Sequence, residues 1–127
     1  MELVIGGYAQ GKLNYVLEKH DVEANKIFDG EIPKNIENLK DTVVVDNLHN
    51  WVKARIAQDG CPEKEILAFV KKCPNCVIIS DEIGNGIVPM EAFEREYRER
   101  TGRLLIELAK EAEAVERVIC GIGQKIK

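Results

Sequence analysis

The chain has 127 residues, 45% of them hydrophobic and 31% charged, with a net charge of −4. That is enough for one domain with one buried core, and the acidic balance argues against a nucleic-acid footprint. No apolar run reaches membrane-spanning length, and Lys12 with the acidic stretch after it does not suit a signal peptide, so a cytoplasmic protein with no membrane span is expected.

"ELVIGG" is a short apolar run ending in glycines, which reads as a buried strand entering a turn. The stretch that follows fits G-x-x-x-x-G-K, with Gly6, Gly11 and Lys12 in place. In a phosphate-binding loop the next residue is Ser or Thr, which places a hydroxyl on Mg²⁺; here it is Leu13. Backbone N–H groups across Gly6, Gly7, Tyr8, Ala9, Gln10, Gly11, Lys12 and Leu13 would face phosphate, and Lys12 would reach the β- and γ-phosphates. The plain alternative is a glycine turn with a surface lysine.

"GKLNYVLEKH" has helical spacing at Leu13, Val16 and Leu17. "DVEANKIFDGEIPKN" is turn-rich, with a short strand near Lys26–Phe28, and "IPKNIENLK" allows a brief helix. "DTVVVDN" is a β-branched strand closing on Asp46. Asp46 sits where a Mg²⁺-holding carboxylate would end its strand, or it simply caps the next helix. That helix carries Leu48, Trp51, Val52 and Ile56, and Gly60 and Pro62 break the pattern. "EKEILAFVKK" is a short amphipathic helix, and "CVIISDE" is a strand ending in the carboxylates Asp81 and Glu82. Glu82 would orient a nucleophile or bind the metal, or else is a solvated carboxylate. "GNGIVP" is a glycine-rich loop. A long helix runs from about Met90 to Ala114, with Phe93, Tyr97, Leu104, Leu105 and Leu108 on its apolar side. "VERVICG" is a buried strand, and "GQKIK" adds a terminal strand after a turn.

Of the four cysteines, Cys73 and Cys76 form a C-x-x-C. The pair ends a helix, where a thioredoxin-type motif would open one. No second pair or spaced histidine completes a zinc site, so ordinary cysteines are favoured.

Strands alternate with helices, and the strands are continuous apolar runs. This pattern implies one α/β domain over residues 1–127, with a mostly parallel five-stranded sheet and helices on both faces. Ligands in such sheets sit beyond the carboxyl ends of the strands. That rule brings together Gly6–Lys12, Asp46 and Asp81–Glu82.

Residues 80–127 resemble the C-terminal half of the bifunctional adenosylcobinamide kinase/adenosylcobinamide-phosphate guanylyltransferases. The family's N-E-V-G-x-G-I-V-P loop is matched at Glu82, Gly84, Gly86, Ile87, Val88 and Pro89, and its later motifs at Gly102, Arg103, Gly121 and Lys127. "VVVDNLHNW" is similar to its V-D-C-L-T-x-W at Asp46, Leu48 and Trp51, and "GGYAQGKL" to its G-G-x-R-S-G-K-S. The resemblance implies a RecA-like P-loop NTPase fold, in which the strand ending at Glu82 separates the strands ending at Gly6 and Asp46. It also implies GTP or ATP with Mg²⁺ as cofactors, adenosylcobinamide as a partner, and self-association. Lys12, Asp46 and Glu82 would be catalytic, and Asp46 and Glu82 would hold the metal.

The departures are equally specific. Leu13 replaces the metal-binding Ser, and Tyr8-Ala9-Gln10 replaces a run of a small residue, Arg and Ser. The segment before Asp46 is short, acidic and without the histidine that accepts GMP. His20 ends the first helix, and His49 stands where the family has a Thr. Phosphoryl transfer is therefore expected in preference to guanylyl transfer. A binding or regulatory module without activity and a small kinase for another substrate remain the alternatives.

Overall fold

The computed structural model describes residues 1–35, 41–83 and 91–127. The glycine-rich loop and its matched residues Gly84, Gly86, Ile87, Val88 and Pro89 lie outside the described residues. So do residues 36–40, where the brief helix was expected to close.

The chain runs β1 (Glu2–Gly6), α1 (Lys12–Lys19), β2 (Ile27–Asp29), β3 (Val43–Asp46), α2 (Leu48–Ala57), α3 (Pro62–Lys72), β4 (Cys76–Asp81), α4 (Ala92–Glu111), β5 (Ala114–Ile119) and β6 (Ile122–Lys125). The strands form a single sheet in the order β2-β3-β4-β1-β5-β6. It has six strands rather than the expected five, because both short outer segments pair. β2 adds to β3 in parallel, and β6 folds back antiparallel on β5. Every other pairing is parallel. β4 lies between β1 and β3, the arrangement the family resemblance implies.

The apolar runs exist because the central strands are covered twice. Successive side chains of a strand point to opposite faces. Leu3, Val43, Val45, Ile78 and Val115 therefore pack on one face with Leu48, Val52 and Ile56 of α2, Ile66 and Phe69 of α3, and Leu104 and Leu108 of α4. Val4, Val44, Val77, Ile79 and Val118 turn the other way, onto Val16 of α1, with Leu13 and Tyr15 packed at the edge. Among the described residues the helices thus divide three to one between the faces. Guanidinium forks tie the three-helix layer together: Arg55 holds Glu65 at 2.8 and 2.7 Å, and Arg100 of α4 holds Glu63 of α3 at 2.8 and 2.9 Å.

Cys73 and Cys76 are buried free thiols between α3 and β4. Burial raises both thiols, Cys76 to about 12, so neither is a thiolate near neutrality. Among the described residues no group of three His, Cys, Asp or Glu side chains gathers into a metal cluster. Nor is any described helix long and apolar enough to cross a membrane.

Gly6 ends β1 where the backbone of β5 comes close: a Cβ there would lie 2.5 Å from the Val118 carbonyl oxygen. Backbone cannot move aside as a side-chain tip can. Gly6→Ala should therefore destabilise the fold by about 1–3 kcal/mol, the usual cost of overpacking. Urea denaturation with a shared m-value would measure it.

Candidate functional site

The carboxyl ends of β1, β3 and β4 open into a pocket of about 210 Å³, lined by Tyr8, Ala9, Gly11, Lys12, Leu13, Asn14, Asp46, Asn47 and Asp81. Larger hollows of about 450 Å³ beside α3 and α4, and about 640 Å³ around Leu17–Ile27, contain no strand-end carboxylate of the central sheet. The strand-end carboxylates Asp46 and Asp81 lie in the smaller pocket.

The loop Gly7–Gly11 is shaped by two left-handed residues, Ala9 (φ 56°) and Gly11 (φ 84°). Gly11 is the N-cap of α1 and makes no side-chain cap; the first turn carries no acid. The first-turn N–H groups, which receive no side-chain cap from Gly11, and the positive end of the helix therefore border the pocket. Gln10 anchors the loop from outside. Its side-chain oxygen accepts the Cys120 N–H and its carbonyl accepts the Gly121 N–H, each at 2.8 Å. Cys120 and Gly121 are the two positive-φ residues of the β5–β6 hairpin turn, at 51° and 75°. Gln10 thus points at the hairpin rather than the pocket, and Tyr8 stands 86% exposed at the rim.

Lys12 is buried. Its ammonium donates to the Gly7 carbonyl at 2.6 Å and lies 2.7 Å from Asp81 Oδ1. Asp46, half-buried at the end of β3, accepts the Asn47 N–H at 2.9 Å. Burial raises its pKa first; the Asn47 N–H opposes this, while Asp29 and Asp81 add repulsion and Lys12 relieves some of it. Asp46 does not cap α2. The cap position is Asn47, left-handed at φ 53° and bonded through its amide to Asp29 at 2.7 Å.

Glu82 goes elsewhere. It faces Arg117 of β5, with Arg117 Nη2 donating to Oε2 at 3.0 Å. Arg117 Nε lies 2.7 Å from Oε1 but is not directed for a hydrogen bond, so the contact is an ion pair with one good hydrogen bond. The structure therefore brings Lys12, Asp46 and Asp81 together and sets Glu82 beside them on the β5 side.

His49 is the residue that sequence reasoning did not place. Buried on the first turn of α2, it accepts the Asp81 N–H on Nδ1 at 3.1 Å, and its Nε2 lies 3.3 Å from Asp81 Oδ2. Burial lowers its pKa; Asp81 opposes and Lys12 reinforces the shift, so the ring is neutral. His20 caps the far end of α1 and bonds Glu2 at 2.8 Å, at the opposite end of β1.

A Mg²⁺ ion would suit Asp46. It is a hard oxygen donor, and among the described residues no ammonium or guanidinium is in ion-pair contact with it, unlike Asp81 and Glu82. Leu13 supplies no oxygen and instead packs, partly buried, against the Val4–Val16 cluster.

The strand order and the loop entering a helix define an α/β protein of P-loop NTPase type. The chain belongs to the cobinamide kinase / cobinamide phosphate guanyltransferase family, whose model matches residues 18–126. Two relatives are the bifunctional adenosylcobalamin biosynthesis proteins CobU of Escherichia coli (strain K12), 38% identical, and of Salmonella typhimurium (strain LT2), 36% identical. Each match runs over 75 residues, 56% of this chain and 41% of the relative, so the matched stretch spans less than half of each relative's length. The family match starts beyond the Gly6–Leu13 loop, which therefore stands on its own geometry.

Asp46 offers a test of the electrostatics. Its folded-state pKa lies above the ordinary 3.8, so the ionised carboxylate costs stability at pH values above the folded pKa. The cost disappears once both states are protonated. Asp46→Asn should be more stable than wild type at about pH 7 and no different at about pH 3, measured by urea melts at both.

Proposed function

We propose that this chain is a nucleotide-binding protein of corrinoid assembly whose chemistry is phosphoryl transfer rather than guanylyl transfer. The supporting observation is the convergence of an uncapped helix N-terminus, Lys12 and Asp46 on one pocket at the strand ends. GTP or ATP would place its phosphates against the first turn of α1 and the Lys12 ammonium, within a loop held from behind by Gln10. Mg²⁺, when bound, neutralises phosphate charge. Asp46 is the carboxylate proposed to hold it, and Glu82 is the second candidate if Arg117 releases it. The acceptor would be the hydroxyl of adenosylcobinamide, the substrate class the family name carries.

Guanylyl transfer needs a free, activated nucleophile beside the α-phosphate. The chain has two histidines. His20 sits at the far end of the sheet, and both ring nitrogens of His49 face Asp81. Neither is proposed as a GMP acceptor. Incubation with α-labelled GTP, followed by alkaline denaturation, should leave no label on the protein while adenosylcobinamide is phosphorylated. Label that disappears in His49→Ala would overturn this assignment.

Lys12→Ala should weaken triphosphate binding by about tenfold or more, because it removes a charge-assisted contact. Calorimetric titration of GTP, ATP, GDP and GMP measures it. Equal affinity in both proteins, or no dependence on phosphate number, would reject the reading.

A second reading, binding without catalysis, is favoured by the packing of Leu13. Leu13→Ser separates the two. Because Leu13 is only partly buried, the change should cost about 1–2 kcal/mol, below the range for a fully buried Leu. A gain in Mg²⁺-dependent affinity marks a site lacking one ligand; loss of stability without that gain marks a loop in which Leu13 is structural.

A further inference from the structure

A buried ammonium needs an anion, and here the chain provides one of its own. Lys12 is 7% exposed and Asp81 18%, with 2.7 Å between Nζ and Oδ1. Asp81 is held in turn from the α2 side. Its N–H donates to His49 Nδ1 at 3.1 Å, and Oδ2 lies 3.3 Å from His49 Nε2. Because Nδ1 accepts, the proton of the neutral ring is on Nε2, facing the carboxylate. The chain of contacts therefore runs from His49 through Asp81 and Lys12 to the Gly7 carbonyl, and Asp81 and Lys12, its two middle members, line the pocket.

The charge balance gives this arrangement a consequence. The pocket holds one ammonium, Lys12, against two carboxylates, Asp46 and Asp81. A phosphate entering it meets a cation already neutralised and a like charge within the reach of the same ammonium. Coulombic repulsion at such distances is strong where water is partly excluded.

We propose that Asp81 is an internal competitor of phosphate: it latches Lys12 until a nucleoside triphosphate takes over the ammonium, and His49 is the positioning residue that keeps the Asp81 carboxylate in place. The proposal rests on the nucleotide reading of the pocket. It separates Asp81 from Asp46, which carries the same charge on the neighbouring strand but is not in ion-pair contact with Lys12 among the described residues. It also gives His49 a task that needs neither a free ring nitrogen nor a covalent intermediate.

The latch reverses the usual expectation for a buried ion pair. Replacing Asp81 should lower the stability of the empty protein, because the ammonium loses its partner, yet tighten the binding of an anion that restores one. A carboxylate that only holds the fold would give weaker stability and weaker or unchanged binding.

The test uses the full chain as wild type, Asp81→Asn, His49→Leu and His49→Gln, with GTP and inorganic pyrophosphate as probes. Melting temperatures are read without ligand and affinities by calorimetry. Asp81→Asn should melt lower and bind both probes about tenfold tighter or more. His49→Leu, which frees the carboxylate, should move affinity in the same direction by a smaller factor. His49→Gln, which keeps an N–H donor near the Nε2 position, should stay close to wild type. Wild-type binding that is as tight as, or tighter than, that of Asp81→Asn overturns the latch and leaves the nucleotide reading standing. No binding by either wild type or Asp81→Asn, both folded by circular dichroism, overturns the nucleotide reading and the latch with it. If Asp81→Asn does not fold, His49→Leu decides: tighter binding than wild type upholds the latch, and unchanged or weaker binding overturns it.

Discussion

The burial of one ammonium organises the strand-end face of this protein. Lys12 opens α1 beneath the glycine loop, and once it is shielded from water its charge must be met at close range. Two groups do so: the Gly7 carbonyl, which the loop turns inward, and Asp81, which the parallel register brings level with Gly6 at the ends of β4 and β1. The loop at Gly7, the end of β4 at Asp81 and, through Asp81, His49 on α2 all meet at that charge. A shift of one residue in the β1–β4 register would bring Ser80 or Glu82 level with Gly6 in place of Asp81 and reverse every inward side chain of the strand.

The two faces of the sheet support this arrangement unequally. Three helices cover one face, and their packing and guanidinium forks make a rigid layer from which α2 presents His49. Among the described helices α1 alone covers the other face, and it gains its hold elsewhere: Tyr15 and Lys19 both bond Glu116 of β5, and Gln10 pins the loop to the β5–β6 turn. The antiparallel β6 hairpin, peripheral in the topology, is thus what braces the glycine loop from behind. The family match covers the α2–α4 layer and the hairpin, and it begins after the loop they support.

The carboxylates at the strand ends are divided by partner. Asp81 answers Lys12 and His49, and Glu82 answers Arg117, whereas Asp46 keeps one backbone donor and the repulsion of Asp29 and Asp81. An ionised group kept in such surroundings works against stability, and functional sites commonly carry that cost. The C-x-x-C pair shows the opposite case. Its thiols are pushed by burial away from ionisation and serve as small apolar side chains beneath β4.

The parallel sheet was legible in the sequence because its cause is local: strands covered on both faces are continuous apolar runs, and "VVVD" and "CVIISD" are such runs up to the polar residues at their carboxyl ends. The glycine loop was legible from spacing, since Gly6, Gly11 and Lys12 occupy positions that only backbone approach and a reaching cation require. The family resemblance, carried by long motifs, likewise survived the comparison. Three features were not legible: the pairing of the short outer strands, the support of the loop by Gln10, and the division of labour between Asp81 and Glu82. Consecutive residues at a strand end point in opposite directions, and nothing in the dipeptide Asp81-Glu82 says which one faces the lysine. That depends on which neighbours flank β4 and in what register. Asp81 turned to Lys12 and His49, and Glu82 to Arg117, because β1 and β5 lie on one side of β4 and α2 packs over it. Contacts between residues that are distant in the chain decide such choices, and only the packed sheet contains them.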